Sequence, residues 1–511
     1  MTRELEKGPD RKPRPHLEKP TLDKYLEKIT LTEKATHQVL KPWVGIGLGF
    51  VFLVITMSFA AAYVADQPGY LIIIAAAVIA GYMAMNIGAN DVTNNVGAAV
   101  GSKAITMTTA LVIAAIFEIV GAVFAGGRVV ATIEGGIIDI AQIPSREHFV
   151  WVMMAALVSA AAWINIATWS GAPISTTHSV IGGILGAGVT AAGLSAVHWL
   201  SLAGITASWM ISPLLGGGIA ALLLAFIKTF IIYRDDRIDA AVFWTPLLIA
   251  VMLGSFGCYF ALVGLEKVVT IGLGTGLSIG LVVGALTVMI ARPWIRRQAQ
   301  GLDNRSQSLR IFFQVPLILS AALLSFAHGA NDVSNAVGPL SAIVANIGGF
   351  SSPAATAEIP LWVMLIGAFG ISCGLLLFGP KLIHVVGEEI TKLNPVRAFC
   401  VALATAVTVI LATTLGLPVS TTHTAVGAVF GIGFFREWYT RNSKRRLDYV
   451  RRRTGQTDFE RRAEHSPEEA QRRQLVRRSH FMTIIGAWVV TVPISAALSA
   501  VIYTILAAIF I

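Results

Sequence analysis

The sequence predicts an all-α polytopic membrane protein made of two inverted-topology repeats with broken or re-entrant helices. Three observations carry that expectation: apolar residues dominate a long chain, two polar phrases each occur twice at matching intervals, and the basic residues gather in a few segments. Of 511 residues 55% are hydrophobic and only 13% charged, with a mean hydropathy of +0.70. That leaves too little polar surface to cover a soluble globule of this size. The 48 glycines suit helices that pack closely or break inside a bilayer.

Taken in order, residues 1–42 alternate charges of both signs without an apolar core, so they read as a cytoplasmic polar tail rather than a signal peptide. An extra transmembrane helix follows at 43–65. A first transport repeat spans 69–232, with candidate spans at 69–87, 101–126, 149–170, 173–195 and 200–232. Connecting helices at 243–264 and 269–291, with the cytoplasmic loop after them, fill 243–310. The second repeat covers 311–435, with candidates at 311–330, 334–349, 360–380, 397–416 and 418–435. A basic cytoplasmic loop at 436–479 precedes a final helix, 480–511, that completes the second repeat. The segments at 173–195 and 418–435 open on Pro and are rich in Gly and Thr, and 200–232 is overlong with Pro213 inside it. Half-helices or re-entrant loops are expected at such places.

Of 39 Lys and Arg, 29 lie in three segments: before residue 42, in 292–310 and in 436–479. Concentration of this kind reflects topology rather than nucleic-acid binding, and it puts these segments, with the run Tyr233-Arg234-Asp235-Asp236-Arg237, in the cytoplasm. The link Ala65-Asp66-Gln67-Pro68 carries no Lys or Arg and is expected outside. The helix at 69–87 then runs inward and the one at 311–330 outward, so the two halves are inverted. Cys258, Cys373 and Cys400 show neither disulfide nor zinc spacing.

The first duplicated phrase runs Gly88-Ala-Asn90-Asp91-Val-Thr93-Asn94-Asn95-Val-Gly97 and returns as Gly329-Ala-Asn331-Asp332-Val-Ser334-Asn335-Ala336-Val-Gly338. A carboxylate and amides at membrane depth are costly, so Asp91 and Asp332 are functional candidates. The second phrase, Ala167-Thr168-Trp-Ser-Gly171-Ala-Pro173-Ile-Ser175-Thr176-Thr177-His178, matches Ala412-Thr413-Thr-Leu-Gly416-Leu-Pro418-Val-Ser420-Thr421-Thr422-His423. Pro at a first helical position beside hydroxyls marks a helix start. Free backbone N–H groups, the positive end of the helix dipole and the hydroxyls of Ser175, Thr176, Thr177, Ser420, Thr421 and Thr422 form a metal-free site for a small oxyanion. A tetrahedral phosphate suits it.

Neutral donors leave that anion's charge uncompensated, and Asp91 and Asp332 add to it. Cations must therefore bind close by, either sodium on the oxygens of Asn90, Asp91, Asn94, Asn331, Asp332 and Asn335 or protons on the carboxylates. Coupled symport follows. The expected partners are inorganic phosphate, the coupling cation and the lipid bilayer, with no nucleic acid and no cofactor beyond the coupling ion; a homo-oligomer is allowed. The expected place is a cell inner membrane, crossed many times, with the N-terminus cytoplasmic.

Sulfate is the alternative anion, but a buried Asp accepts a hydrogen bond from monohydrogen phosphate and is poorly matched to fully deprotonated sulfate. An intramembrane hydrolase using Ser and His is a reading of another class, against which the symmetry argues, because an enzyme needs one nucleophile and one base. No Gly-x-x-x-x-Gly-Lys-Ser/Thr string supports ATP-driven transport. His178 and His423 have no assigned role. Glu118 is an intramembrane carboxylate, Arg128 and Lys381 are interfacial anchors or anion attractors, and Lys103 has no assigned job.

These paired phrases resemble the signature of the inorganic phosphate transporter (PiT) family, over roughly 69–436 and the last span. The resemblance implies phosphate symport with sodium or protons, with Asn90, Asp91, Asn331 and Asp332 at the ion and phosphate site and the Ser-Thr-Thr runs around the anion. Three features depart from it: the helix at 43–65, the long 436–479 loop, and Asn95, where the family usually has a small residue such as Ala336. Some members resemble sulfate carriers.

Overall fold

The computed structural model describes residues 43–170, 174–266, 268–347, 359–387, 393–443 and 478–511. Among these the chain is helical, with an isolated bridge between Ile138 and Val197 and no strand. Among the described residues eleven helices are long and apolar enough to cross a membrane, and the chain is a multi-pass membrane protein. It divides into two units, one ending at Phe50 and the other running from Val51 to Ile511 and holding every residue of the site described below.

The helices are α1 (Trp43–Val64), α2 (Tyr70–Gly101), α3 (Met107–Ala125), the short α4 (Gly127–Gly135), α5 (Arg146–Ser170), α6 (Thr176–Ala192), α7 (Trp199–Ile227), α8 (Arg237–Tyr259), α9 (Leu273–Ala299), α10 (Leu309–Phe312), α11 (Gln314–Asp332), α12 (Ser334–Ile347), α13 (Leu361–Gly387), α14 (Pro395–Thr414), α15 (Thr421–Asn442) and α16 (Arg478–Phe510). Side chains define several starts. Thr106 caps α3 by accepting from the Thr109 N–H, Asp236 caps α8 through Asp239, and Asn394 caps α14 through Arg397 with Pro395 at the first helical position.

Three elements differ from the apolar pattern. The first Asn-Asp phrase does not follow its helix; it lies inside α2, which continues to Gly101. Its polar side chains bond to other helices, so they do not compete with α2's own backbone. In the second copy the helix breaks after Asp332, and α12 restarts at Ser334 with Pro339 inside it. Pro213 does not break α7, and Gly427 of α15 packs against the Pro213 backbone.

The halves interlock. α2 packs most extensively on α13 of the second half and α11 on α3 of the first. Gly88 abuts the Ile371 backbone and Gly374 that of Met85; the other pair repeats this, with Gly329 against Glu118 and Gly121 against Phe326. A lipid solvent supplies no hydrophobic drive between helices, so such backbone-to-backbone approaches at glycine carry the association. Contacts also advance together, Gly370 beside Gly81 and Gly379 beside Val92, so α2 and α13 run the same way. Gly126 beside Val333 gives α3 and α11 the same relation. Since the turn after α2 brings Leu111 back beside Val92, α3 opposes α2 and so does α11. The outer pairs follow suit: α15 on α7 and α16 on α6.

Candidate functional site

α6 and α15 both begin in the middle of this arrangement, and neither is among the eleven candidate spans. Ser175 and Ser420 are their N-caps, each accepting a 3.2 Å bond from the N–H three residues on, of His178 and His423. Pro418 therefore does not open α15 but lies in the extended strip before the cap, and Pro173 falls outside the described residues. Serine sets the start because its oxygen satisfies an N–H that proline would leave free.

With the serines used as caps, the threonines reach inward. Asp91 Oδ1 accepts from Thr422 Oγ1 at 2.9 Å, Asn90 Nδ2 at 3.0 Å and Asn94 Nδ2 at 3.3 Å. Its Oδ2 accepts from Thr176 Oγ1 at 3.2 Å. Asp332 Oδ2 accepts from Thr421 Oγ1 at 3.2 Å and lies 3.5 Å from the same Thr176 hydroxyl. Asn335 Nδ2 contacts both Thr176 and Thr177, at 3.4 and 3.2 Å, and Asn94 Nδ2 donates to Thr422 at 2.8 Å. Each half's carboxylate is thus gripped by hydroxyls from both halves. Both aspartates are 1% exposed, and the starts of α6 and α15, the positive ends of their dipoles, point at them.

Asn90 and Asn331 work differently. Asn90 donates to the carbonyl of Ile174 and accepts from Thr168; Asn331 donates to Leu417 O and Thr413 Oγ1 and accepts from the Val419 N–H. These bonds hold the strips leading into α6 and α15. Asp91, Asn94, Asp332, Asn335, Thr176, Thr177, Thr421 and Thr422 come together; Asn90 and Asn331 brace them from behind, though Asn90 also touches Asp91, and Ser175 and Ser420 cap.

Three residues border the site on one side only. His328 Nδ1 lies 3.1 Å from Glu118 Oε1, and its Nε2 lies 3.3 Å from Asp332 Oδ2 and 3.7 Å from Asp91 Oδ2. Asn95 Nδ2 donates to the same Glu118 oxygen at 2.7 Å. His328 gives no signal of its own in the sequence; it shows only as a break in the repeat, where the equivalent residue of the first copy is Ile87 (328 − 241). Ligand atoms of Asp91, His328 and Asp332 lie within 4.8 Å of one another, a geometry that can hold a cation.

His178 and His423 face each other with ring centroids 4.5 Å apart and are flanked by Trp209 and Trp488 at 3.8 and 3.7 Å. They pack the first turns of α6 and α15 together. In neither run does the serine pair with the histidine ring, because Ser175 and Ser420 accept from backbone and the rings of His178 and His423 lie against tryptophan; the hydrolase alternative falls. Arg128 does not face the anion site. It bonds Glu266 at 2.7 Å and the Thr414 carbonyl at 3.0 Å, while Thr132 bonds the carbonyl of Gly416, whose φ of 68° makes the turn into the second Ser-Thr-Thr run. α4 is thus a brace for that turn. Lys103 holds a left-handed turn after α2, with φ 60°, and the Lys381 side chain is not described. All three cysteines are free.

Two interlocked helical halves burying paired carboxylates and amides under hydroxyl-rich helix starts define a membrane carrier, not an enzyme. The profile of the Phosphate transporter family matches residues 87–499, and the chain belongs to that family. It is 42% identical over 521 residues to a candidate phosphate permease of Helicobacter pylori (strain J99), covering 94% of this chain and 98% of that one. It is 35% identical over 452 residues to "Inorganic phosphate transporter 2-1, chloroplastic" of Arabidopsis thaliana, covering 83% of this chain and 70% of that protein. A solved structure titled "The sodium-dependent phosphate transporter" aligns with a TM-score of 0.75 at 33% identity, over 86% of this chain and all of that one.

Proposed function

We propose that the chain carries inorganic phosphate together with sodium by alternating access, with Asp91 and Asp332, the amides of Asn94 and Asn335, and the hydroxyls of Thr176, Thr177, Thr421 and Thr422 forming one shared site. The observation that carries this reading is Thr176: one hydroxyl from the first half lies against the carboxylates of both halves. An anion drawn to these donors comes close to two carboxylates, and at an effective dielectric of about 20 each such pair about 4 Å apart is opposed by roughly 4 kcal/mol. Positive charge has to accompany it. Oxygen donors of this kind suit a hard monovalent cation, and the sodium-dependent neighbour favours sodium over protons.

Asn90 and Asn331 hold the extended strips, and Ser175 and Ser420 start the two helices, so these four orient the site. The opposed directions of α2 and α11, with the basic segments in the cytoplasm, support repeats 69–232 and 311–435 plus 480–511 that are inverted across a cell inner membrane. Rocking of one half against the other about the shared site would open it to each side in turn.

The test is uptake of labelled phosphate into proteoliposomes with a sodium gradient or a pH gradient imposed separately, and with excess unlabelled sulfate. Sodium-driven uptake that sulfate does not displace is expected. Uptake driven by the pH gradient alone would replace sodium with protons, and uptake indifferent to both gradients would refute symport.

A further inference from the structure

Asn95, Glu118 and His328 form a connected chain on one side of the site, and the related positions on the other side are all apolar and fully buried. The contacts of Gly88 with Ile371 and of Gly329 with Glu118 make Ile371 the partner of Glu118 (371 − 118 = 253, as 374 − 121 = 253), while Ile87 corresponds to His328 and Ala336 to Asn95. Three polar residues are therefore exchanged together for Ile, Ile and Ala at one helix crossing. A single buried carboxylate at such a depth is costly, and it persists here with an amide and an imidazole both bonded to it.

The chain has a direction. Carboxylate oxygens accept only, so Asn95 and the Nδ1 end of His328 donate to Glu118, which fixes the ring. The Nε2 end then points between Asp332 Oδ2 and Asp91 Oδ2. A cation bound between the aspartates would claim those same oxygens.

We propose that His328, aimed by the positioning residues Asn95 and Glu118, is a tethered stand-in for the coupling cation that joins the two aspartates when the carrier crosses without cargo. Resting on the symport reading above, this assigns the chain to one limb of the cycle. Without a bridging group between them the two buried carboxylates repel, and the halves cannot close on each other to return. With sodium and phosphate bound, the cation performs the bridging and the imidazole is dispensable. Exchange of internal for external phosphate uses loaded crossings only; net uptake needs the empty return as well.

The experiment compares the two modes in full-length protein in proteoliposomes at saturating sodium: labelled phosphate entering vesicles preloaded with unlabelled phosphate, and entering phosphate-free vesicles. In Asn95→Ala, net uptake is expected to fall about tenfold, the size of one lost hydrogen bond to a charged group, while exchange stays within about twofold of wild type. Glu118→Gln, which keeps the volume, is expected to move the ratio the same way, and Asn95→Ser, which keeps a donor, to fall between wild type and Asn95→Ala. Exchange is also the control for folding. Parallel loss of both modes in Asn95→Ala and Glu118→Gln, or an unchanged ratio, overturns the proposal; a wild type that moves no phosphate in either mode would instead overturn the symport reading beneath it.

Discussion

Replacing Thr176 with valine keeps its shape and removes one hydroxyl that stands between the two aspartates. The Oγ1 atom is 3.2 Å from Asp91 Oδ2, 3.5 Å from Asp332 Oδ2 and 3.4 Å from Asn335 Nδ2. A hydroxyl has one hydrogen, so it donates to one carboxylate at a time while accepting from the amide. Valine thus deletes one bond to a charged group, worth about 1.5–3 kcal/mol, and one neutral bond worth about 1 kcal/mol. Its pseudo-symmetric counterpart Thr421 bonds only Asp332 Oδ2, at 3.2 Å, and Thr421→Val deletes a single charged bond. At about 1.4 kcal/mol per tenfold, Thr176→Val should weaken apparent sodium affinity by roughly 10²–10³-fold, and Thr421→Val by roughly 10–100-fold. The assay is phosphate uptake titrated with sodium, with Thr176→Ser retaining near-normal behaviour. Equal losses at the two threonines, or a serine variant as impaired as the valine, would refute the bridging role.

Other outcomes follow from the same geometry. Asp91→Asn presents an NH2 group to a carboxylate position ringed by four donors, so phosphate uptake should fall at least about 100-fold, as it should in Asp332→Asn, with each protein still eluting as a folded species on size exclusion. Wild-type rates in either would contradict the site. Gly88→Val places a side chain in the Ile371 backbone and should destabilise the protein by about 1–3 kcal/mol in a thermal melt, and Gly329→Val against Glu118 should do the same; Gly47→Val, with open space around it, should not. Glu266→Gln breaks an ion pair whose partners are 43% and 50% exposed, so melting should change by less than the equivalent of about 1 kcal/mol.

Much of the candidate site was legible, as a set of residues that converge, because it is duplicated. Asp91 and Asp332, deeply buried and sharing Thr176, are where membrane-depth carboxylates at matched intervals place them, and the Ser-Thr-Thr runs do begin helices beside them. Division of labour within a run was not legible. Whether a hydroxyl caps its own helix or bonds a distant carboxylate depends on side-chain direction, which in these runs gives the cap to Ser175 and Ser420 and the carboxylates mainly to the threonines. The continuity of α2 through its Asn-Asp phrase was hidden for a related reason: partners on α6 and α15 satisfy the polar groups that would otherwise compete with its backbone. His328 went unnoticed because a single histidine in an apolar stretch carries no pattern, although Asn95 and Glu118, its two companions, each stood out alone. Arg128 illustrates the reverse, a conspicuous cation whose bonds to Glu266 and Thr414 keep it at a structural brace.

A small anion held beside two buried carboxylates should bind only with a cation, and binding linkage tests that most directly. Calorimetry on the purified protein would measure phosphate affinity across sodium concentrations and, separately, across pH, together with sodium affinity with and without phosphate. Phosphate affinity should rise with sodium, sodium affinity should rise with phosphate by the same factor, and both effects should vanish in Asp91→Asn. Phosphate binding of equal strength with and without sodium at every pH would contradict the account.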